Sequence, residues 1–357
     1  MNNNFLYHMP TKILFGNNEL KNIAKYINGR KTVLITSNGF VKRGLVDKIK
    51  SISDNIVDVF ADVKSHPEFK DLEKVYQDIH ENEFELILAI GGGSVLDASK
   101  YFSVYNESKD ASFVTNMIKG NTKKENYSII PIISVPTTAG TGSEITPWAT
   151  IWDMDEKKKY SLHLPDLFSE VAIYDPILTL SVPLDITIQT GLDTLSHALE
   201  SIWNKNANPI TVSYAIESSK LIMKYLPLLT EELENIKYRE QILKACMYAG
   251  LAFSNTQTAL AHAMSYYITT HKNVDHGIAC SFTLPMLIDS IIGKYDFIDN
   301  ALTDIFGELS SKKLRKMLIE LNISTEFSDY GIDEKELDQL KASLSNNQRA
   351  GNSLVEL

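Results

Sequence analysis

The chain has 357 residues, enough for two ordinary domains or one large one. With 44% hydrophobic and 22% charged residues it has the balance of a globular protein with a core, and a formal net charge of −10 argues against nucleic-acid and membrane-surface partners. Two cysteines, Cys246 and Cys280, rule out a disulfide framework and suit a reducing compartment.

The stretch from Met1 to His8 shows no basic segment followed by an apolar one, so no signal peptide is read. The longest apolar runs, such as Ile129–Val135, fall short of the roughly 20 residues a spanning helix needs. A cytoplasmic protein with a small-molecule partner is expected. Lys31–Thr36 is a β-branched run closed by Ser37-Asn38-Gly39, which predicts strand then turn. Phe84–Ile90, ending in Gly91-Gly92-Gly93, and Ser128–Val135, ending in Pro136, predict two more strands. Helical segments are predicted between them, over Glu73–His80 and Val95–Phe102. Such alternation predicts a Rossmann-like α/β domain with a parallel sheet under helices. Beyond Pro183 the texture turns helical, with Ile186–Trp203, Thr211–Leu226, Ile236–Ser254, Thr258–Thr270, Ala301–Leu321 and Asp333–Leu344 predicted as helices. The boundary is placed near residues 178–183, giving an α/β domain over 1–180 and an all-α domain over 181–357.

Two loops carry the cofactor chemistry. Gly91-Gly92-Gly93-Ser94-Val-Leu-Asp97 follows a predicted strand and opens a predicted helix, where glycines let backbone approach a ligand and helix N–H groups favour an anion. The spacing is not G-x-G-x-x-G, and alone it would also suit a tight strand-to-helix turn. Pro136–Glu144, with Thr137, Thr138, Thr141 and Ser143 among its residues, follows the next strand. Two such loops at strand C-terminal ends favour a dinucleotide diphosphate. A carboxylate after the Lys31–Thr36 strand would bind ribose hydroxyls and exclude a 2′-phosphate. Ser37 and Asn38 stand there instead, leaving NADH and NADPH both open, with Lys42 and Arg43 the nearest cations in sequence.

A metal-binding pattern lies in the second half. Asp193 and His197 are one helical turn apart and share a face; His262 and His276 come later. One carboxylate with three imidazoles suits Fe(II) or Zn(II) and poorly suits calcium. Each residue also has a plainer reading, Asp193 as a helix cap near Gly191 and the histidines as hydrogen-bonded core residues. Cys280, one turn past His276 in an apolar run, reads as a packed core thiol. His8, His66, His80 and His163 read as surface residues, and His271 is ambiguous.

Gly91–Lys100, Pro136–Glu144, Asp193-x-x-x-His197 and His262…His276-Gly277, in that order and spacing, resemble the iron-containing alcohol dehydrogenase family over nearly the whole chain. The resemblance implies the dehydroquinate synthase-like/iron alcohol dehydrogenase fold, in which an α/β cofactor domain precedes a helical one, and it implies a homodimer. It makes Asp193, His197, His262 and His276 the metal ligands and catalytic centre. It sets Gly92, Gly93 and Ser94 at the cofactor's pyrophosphate and Thr137, Thr138 and Thr141 along its cleft, and counts Asp97 of the first motif among the cofactor-binding residues. Lys159 matches a cofactor-contacting lysine; without the resemblance, Lys157–Tyr160 reads as a solvated turn. Thr146–Asp153, Lys159–Leu162, Trp203–Asn208 and Ala249–Thr256 resemble the phosphonoacetaldehyde (hydroxyethylphosphonate) dehydrogenase branch, which implies an aldehyde substrate reduced to its alcohol.

The chain departs from the family in two places. Tyr266 stands where many members have a proton-relaying histidine, so His271 or water would substitute. Soon after Asn346–Asn352 the sequence stops, so a final helix common in the family is expected to be missing or very short. A phosphonate needs a cation near the metal, and Lys272 and Arg349 are the candidates.

Overall fold

The computed structural model describes residues 4–81, 83–156, 158–345 and 347–356. It divides into two compact units. The first comprises Pro10–Thr138 and Ser143–Thr179; the second holds the described residues of Met1–Met9, Ala139–Gly142 and Leu180–Leu357.

In the α/β unit the strands are β1 (Lys12–Phe15), β2 (Thr32–Ile35), β3 (Ile56–Phe60), β4 (Leu86–Gly91), β5 (Val104–Tyr105), β6 (Ser128–Ile129), β7 (Ile132–Pro136), β8 (Trp148–Asp153), β9 (Lys158–His163) and β10 (Val171–Tyr174). Six of them form one parallel sheet in the order β1-β10-β7-β4-β2-β3. Burial on both faces explains why β2 and β4 are continuous apolar runs. Val33, Ile35, Ile87 and Ala89 pack with Phe69, Leu72, Tyr76 and Leu96. Leu34, Leu86, Leu88 and Ile90 pack on the other side with Ile23, Ile27 and Ile49.

The third run predicted as a strand is split. Pro131 lacks an N–H, so the ladder breaks there; β6 pairs antiparallel with β5, and β7 continues the parallel sheet beside β4. Lys158–Tyr160, read as part of a turn, lies in β9, which pairs antiparallel with β8; Lys157 is outside the described residues. The surface reading of His80 is corrected: it is 5% exposed on the inner face of the helix Phe69–Glu81, and its Nε2 lies 2.9 Å from the Phe102 carbonyl.

The second unit is helical. Leu184–Ile202, Pro209–Glu231 and Ile236–Thr256 pack on one another, and His276–Ser281 lies against the first. Asn208 starts the second of these with a capping box: its side chain accepts the N–H groups of Ile210 and Thr211. That helix runs one turn past Pro227, because the fully buried Leu226 and Leu229 outweigh one lost amide bond. The single helix predicted over 301–321 is two, Asp296–Phe306 and Lys312–Glu320, parted by Gly307 at φ 71°. Among the described residues no helix is long and apolar enough to cross a membrane.

Candidate metal centre and cofactor edge

Asp193 and His197 sit one turn apart on the helix Leu184–Ile202, where all the residues from Gly191 to Ile202 are buried. His262 lies in the first turn of the helix Leu260–Lys272, and His276 opens His276–Ser281. Gly277 lets that last helix meet the first, since a Cβ there would collide with the Gln189 carbonyl. Gln189 also donates to Asp275 at 2.7 Å, which fixes the residue before His276.

The fold brings Asp193, His262 and His276 into one cluster, with His197 next to Asp193 but outside the group of mutually close donor atoms. Asp193 Oδ1 lies 3.4 Å from His262 Nε2, 3.9 Å from His197 Nδ1 and 4.0 Å from His276 Nε2. The His197 ring is sandwiched between Phe253 at 4.1 Å and His262 at 4.4 Å. Cys280 joins them: one donor atom each from Asp193, His262, His276 and Cys280 lies within 4.8 Å of the others. It is buried, as read, but it also faces the cluster, with its Sγ 3.7 Å from the His276 ring nitrogens.

The sequence reading missed Glu200. It is fully buried, and its Oε2 accepts from His262 Nδ1 at 2.6 Å and from the Ala259 N–H at 2.9 Å. Its Oε1 accepts the N–H groups of Ala261 and, at 3.4 Å, His262. The spacing Asp193, His197, Glu200 keeps one helical face, a signal that was present in the sequence. Because Nδ1 is engaged by Glu200, Nε2 is the ring nitrogen that His262 turns toward Asp193. Asp193 Oδ1 and His262 Nε2 are both buried and lack a hydrogen-bond partner. Two buried polar atoms without hydrogen-bond partners, in a cluster of carboxylate, imidazole and thiol donors, are an arrangement that a divalent cation completes, so these residues fit a metal. Burial raises the Asp193 pKa, but His197, His276 and His262 outweigh it and hold the carboxyl below its usual range. Burial pushes the Cys280 thiol up.

In the α/β unit the two predicted loops leave adjacent strands, with Gly91 opposite Pro136 in the ladder. The Thr137 N–H donates to the Gly91 carbonyl at 3.0 Å, and a Cβ on Gly92 would sit 3.2 Å from Thr138 Oγ1. Gly93 and Ser94 open the helix Gly93–Ser103, whose N-terminus no side chain caps. Ser37 follows β2 and bridges to Asp62 beyond β3, and Asn38 Nδ2 donates to Asp62 at 3.0 Å. The chain order changes direction between β2 and β4, the kind of point where open sheets bind ligands.

Other candidates fall elsewhere. Asp97 uses both carboxylate oxygens on its own chain, accepting Ser143 Oγ at 2.6 Å and the Thr150 N–H at 2.9 Å. Burial raises its pKa. Lys159, in β9, stands 5.5 Å over the Trp152 ring. Thr141 belongs to Ala139–Gly142, which goes with the helical unit, where Thr194 Oγ1 donates to the Ala139 carbonyl at 2.9 Å. His271 is exposed and stacks on Tyr267 at 4.4 Å, so it does not replace a relay histidine at the cluster. Tyr266 does reach the cluster, its ring parallel to His276 at 6.2 Å.

Family models match both units. Iron-containing alcohol dehydrogenase covers residues 10–176, and the Fe-containing alcohol dehydrogenase family C-terminal model covers 187–353. NAD-dependent methanol dehydrogenase of Bacillus methanolicus is 32% identical, over 78% of this chain and 74% of that protein. The chain belongs to the iron-containing alcohol dehydrogenase family. The family fold is confirmed by a crystal structure of sulfoacetaldehyde reductase from Bifidobacterium kashiwanohense in complex with NAD+, with TM-score 0.87 and 30% identity, covering 99% of this chain and 95% of that one. Aldehyde-alcohol dehydrogenase of Streptococcus pneumoniae (strain TIGR4) is 27% identical over 92% of this chain, but the chain spans 41% of its length.

Proposed function

We propose that this protein is a metal-dependent, nicotinamide-linked aldehyde reductase and that its substrate is phosphonoacetaldehyde, reduced to 2-hydroxyethylphosphonate. The observation that carries the reading is the convergence of Asp193, His262 and His276 with His197 beside them, in which the buried Asp193 Oδ1 and His262 Nε2 have no hydrogen-bond partner. Those four residues would hold Fe(II), or Zn(II) as the alternative, and such an ion supplies Lewis acidity toward a carbonyl oxygen. A bound NADH or NADPH supplies the hydride.

The chain's own residues do the rest. Glu200 fixes the tautomer and orientation of His262, and Phe253 stacks on His197 to hold it. Gly92, Gly93, Ser94, Thr137 and Thr138 would receive the diphosphate at an uncapped helix N-terminus. Ser37 would lie at the ribose, and Asp62 beside it disfavours a 2′-phosphate, so we take NADH as the cofactor. Tyr266 carries no imidazole, so the alcohol proton would come through water or cofactor hydroxyls.

We further propose a cytoplasmic homodimer in which 1–180 binds cofactor and 181–357 binds metal. The name of the Bifidobacterium protein supports a small aldehyde bearing an anionic group. That of the Bacillus methanolicus protein favours a second reading, a general short-chain alcohol dehydrogenase. The test is anaerobic purification with Fe(II), then cofactor oxidation with phosphonoacetaldehyde and with propanal. Preference for the phosphonate supports the first reading, and equal or faster turnover of propanal selects the second.

A further inference from the structure

We infer that Arg349 selects the substrate by its charge, reading a terminal tetrahedral oxyanion, phosphonate or sulfonate, on a short aldehyde; this rests on the aldehyde-reductase reading above. Three other cations of the helical unit are already engaged. The Lys272 ammonium donates to the Gly331 carbonyl at 2.6 Å and to both Glu336 oxygens at 2.8 and 3.0 Å. Arg239 spends its guanidinium on Leu233, Thr187 and Val182. Lys205 donates to the Gly351 carbonyl at 2.6 Å.

Arg349 is different. Among the described residues its guanidinium makes no hydrogen bond or ion pair; it lies 4.9 Å over the ring of Tyr266. That ring is parallel to His276, within 5°. The guanidinium is therefore separated from a candidate metal ligand by one aromatic ring. It is partly buried, and burial lowers its pKa against the opposing field of Glu200. A cation with its donors unspent in a partly dry setting is incomplete, and a bound oxyanion completes it.

The tail fixes this position. The Arg349 N–H donates to Asn347 Oδ1 at 2.9 Å. Three residues on, Asn352 Nδ2 donates to the Thr258 carbonyl at 3.0 Å, and its carbonyl accepts the Lys205 N–H at 2.8 Å. Leu354 N–H donates to the Trp203 carbonyl at 2.9 Å. The tail is thus tied to the end of the Asp193 helix and to the loop before the His262 helix. A planar fork of N–H donors matches phosphonate and sulfonate oxygens and gains nothing from a neutral aldehyde.

The test compares metal-loaded wild type with Arg349→Met and Arg349→Lys on phosphonoacetaldehyde, sulfoacetaldehyde and propanal. In Arg349→Met the kcat/KM ratio of anionic to neutral aldehyde should fall on the order of 10–100-fold, mainly through KM, and Arg349→Lys should recover part of it. A ratio within twofold of wild type, whatever happens to the absolute rates, overturns the inference. A fall for both anions supports the shared chemistry, and a fall for one names the source. Methylphosphonate binding, measured by calorimetry, separates the two readings and survives a loss of turnover. Binding to wild type and Arg349→Lys but not Arg349→Met, with no aldehyde reduced, would retain the anion site and sink the reductase. Equal binding to all three, or to none, would sink the site.

Discussion

Glu200→Gln isolates what the buried carboxylate does. In Glu200 each oxygen accepts two hydrogen bonds, one pair from His262 Nδ1 and the Ala259 N–H, the other from the N–H groups of Ala261 and His262. Glutamine has one oxygen and one NH2, so either amide orientation turns a donor toward two buried donors. At about 1–3 kcal/mol for each of the two stranded groups, the variant should lose roughly 2–6 kcal/mol of stability. Loss of the carboxylate also leaves His262 less basic and its tautomer unfixed, which predicts metal affinity weaker by about 10–100-fold. Thermal unfolding of the metal-free protein reads the first effect, and competition with a chelator reads the second. An unchanged Tm together with a metal Kd within twofold of wild type would refute the reasoning.

Gly277→Ala should drive the His276 helix off the Gln189 carbonyl, costing about 1–3 kcal/mol and lowering metal stoichiometry; full occupancy at an unchanged Tm would contradict the close approach. His262→Ala should abolish metal binding, and near-wild-type metal content would remove it from the ligand set. Asp62→Asn should raise kcat/KM for NADPH relative to NADH by about tenfold if its charge faces the ribose; an unchanged ratio would place it elsewhere. Burial lowers the Lys100 pKa to about 8 from 10.5. Between those pH values the unfolded chain holds more protons at this site, so stability should rise with pH there, by at most about 1.4 kcal/mol per unit. Lys100→Met should remove that slope while also stranding the Ser143, Thr146 and Trp148 carbonyls; an identical pH slope in both proteins would show the site does not titrate in that range.

The legible parts of the sequence were those whose signal is local. β2 and β4 announce themselves as short apolar runs closed by small polar residues or glycines, and the Asp193–His197 pair follows from one helical turn. β1, β3 and β10 are four- or five-residue pieces whose strand character comes from their neighbours in the sheet. Asp62 meets Ser37 only through the pairing of β2 with β3, and that register is invisible along the chain. His262 and His276 were readable as candidates, but their convergence depends on Gly277 meeting the Asp193 helix. Glu200 was overlooked because a carboxylate three residues after a histidine is also what an ordinary solvated helix face contains. Lys272 and Arg349 looked equivalent as cations until Glu336 claimed the first and Tyr266 received the second.

The edge strand β1 has consequences for how the chain is made. Among the described residues its one partner in the sheet is β10, where Lys12 pairs with Val171. Just before it, Tyr7 donates to the Leu251 carbonyl at 3.1 Å and the His8 N–H to Asn255 at 2.8 Å. On a ribosome this segment emerges before the residues that will hold it. The strand gains its hydrogen bonds after residue 174 is out, and the segment before it gains its own later still. Until then a short apolar edge is carried uncovered, a burden met by chaperones and by synthesis speed, not by the finished fold. A segment translated early is thus fastened by residues translated much later.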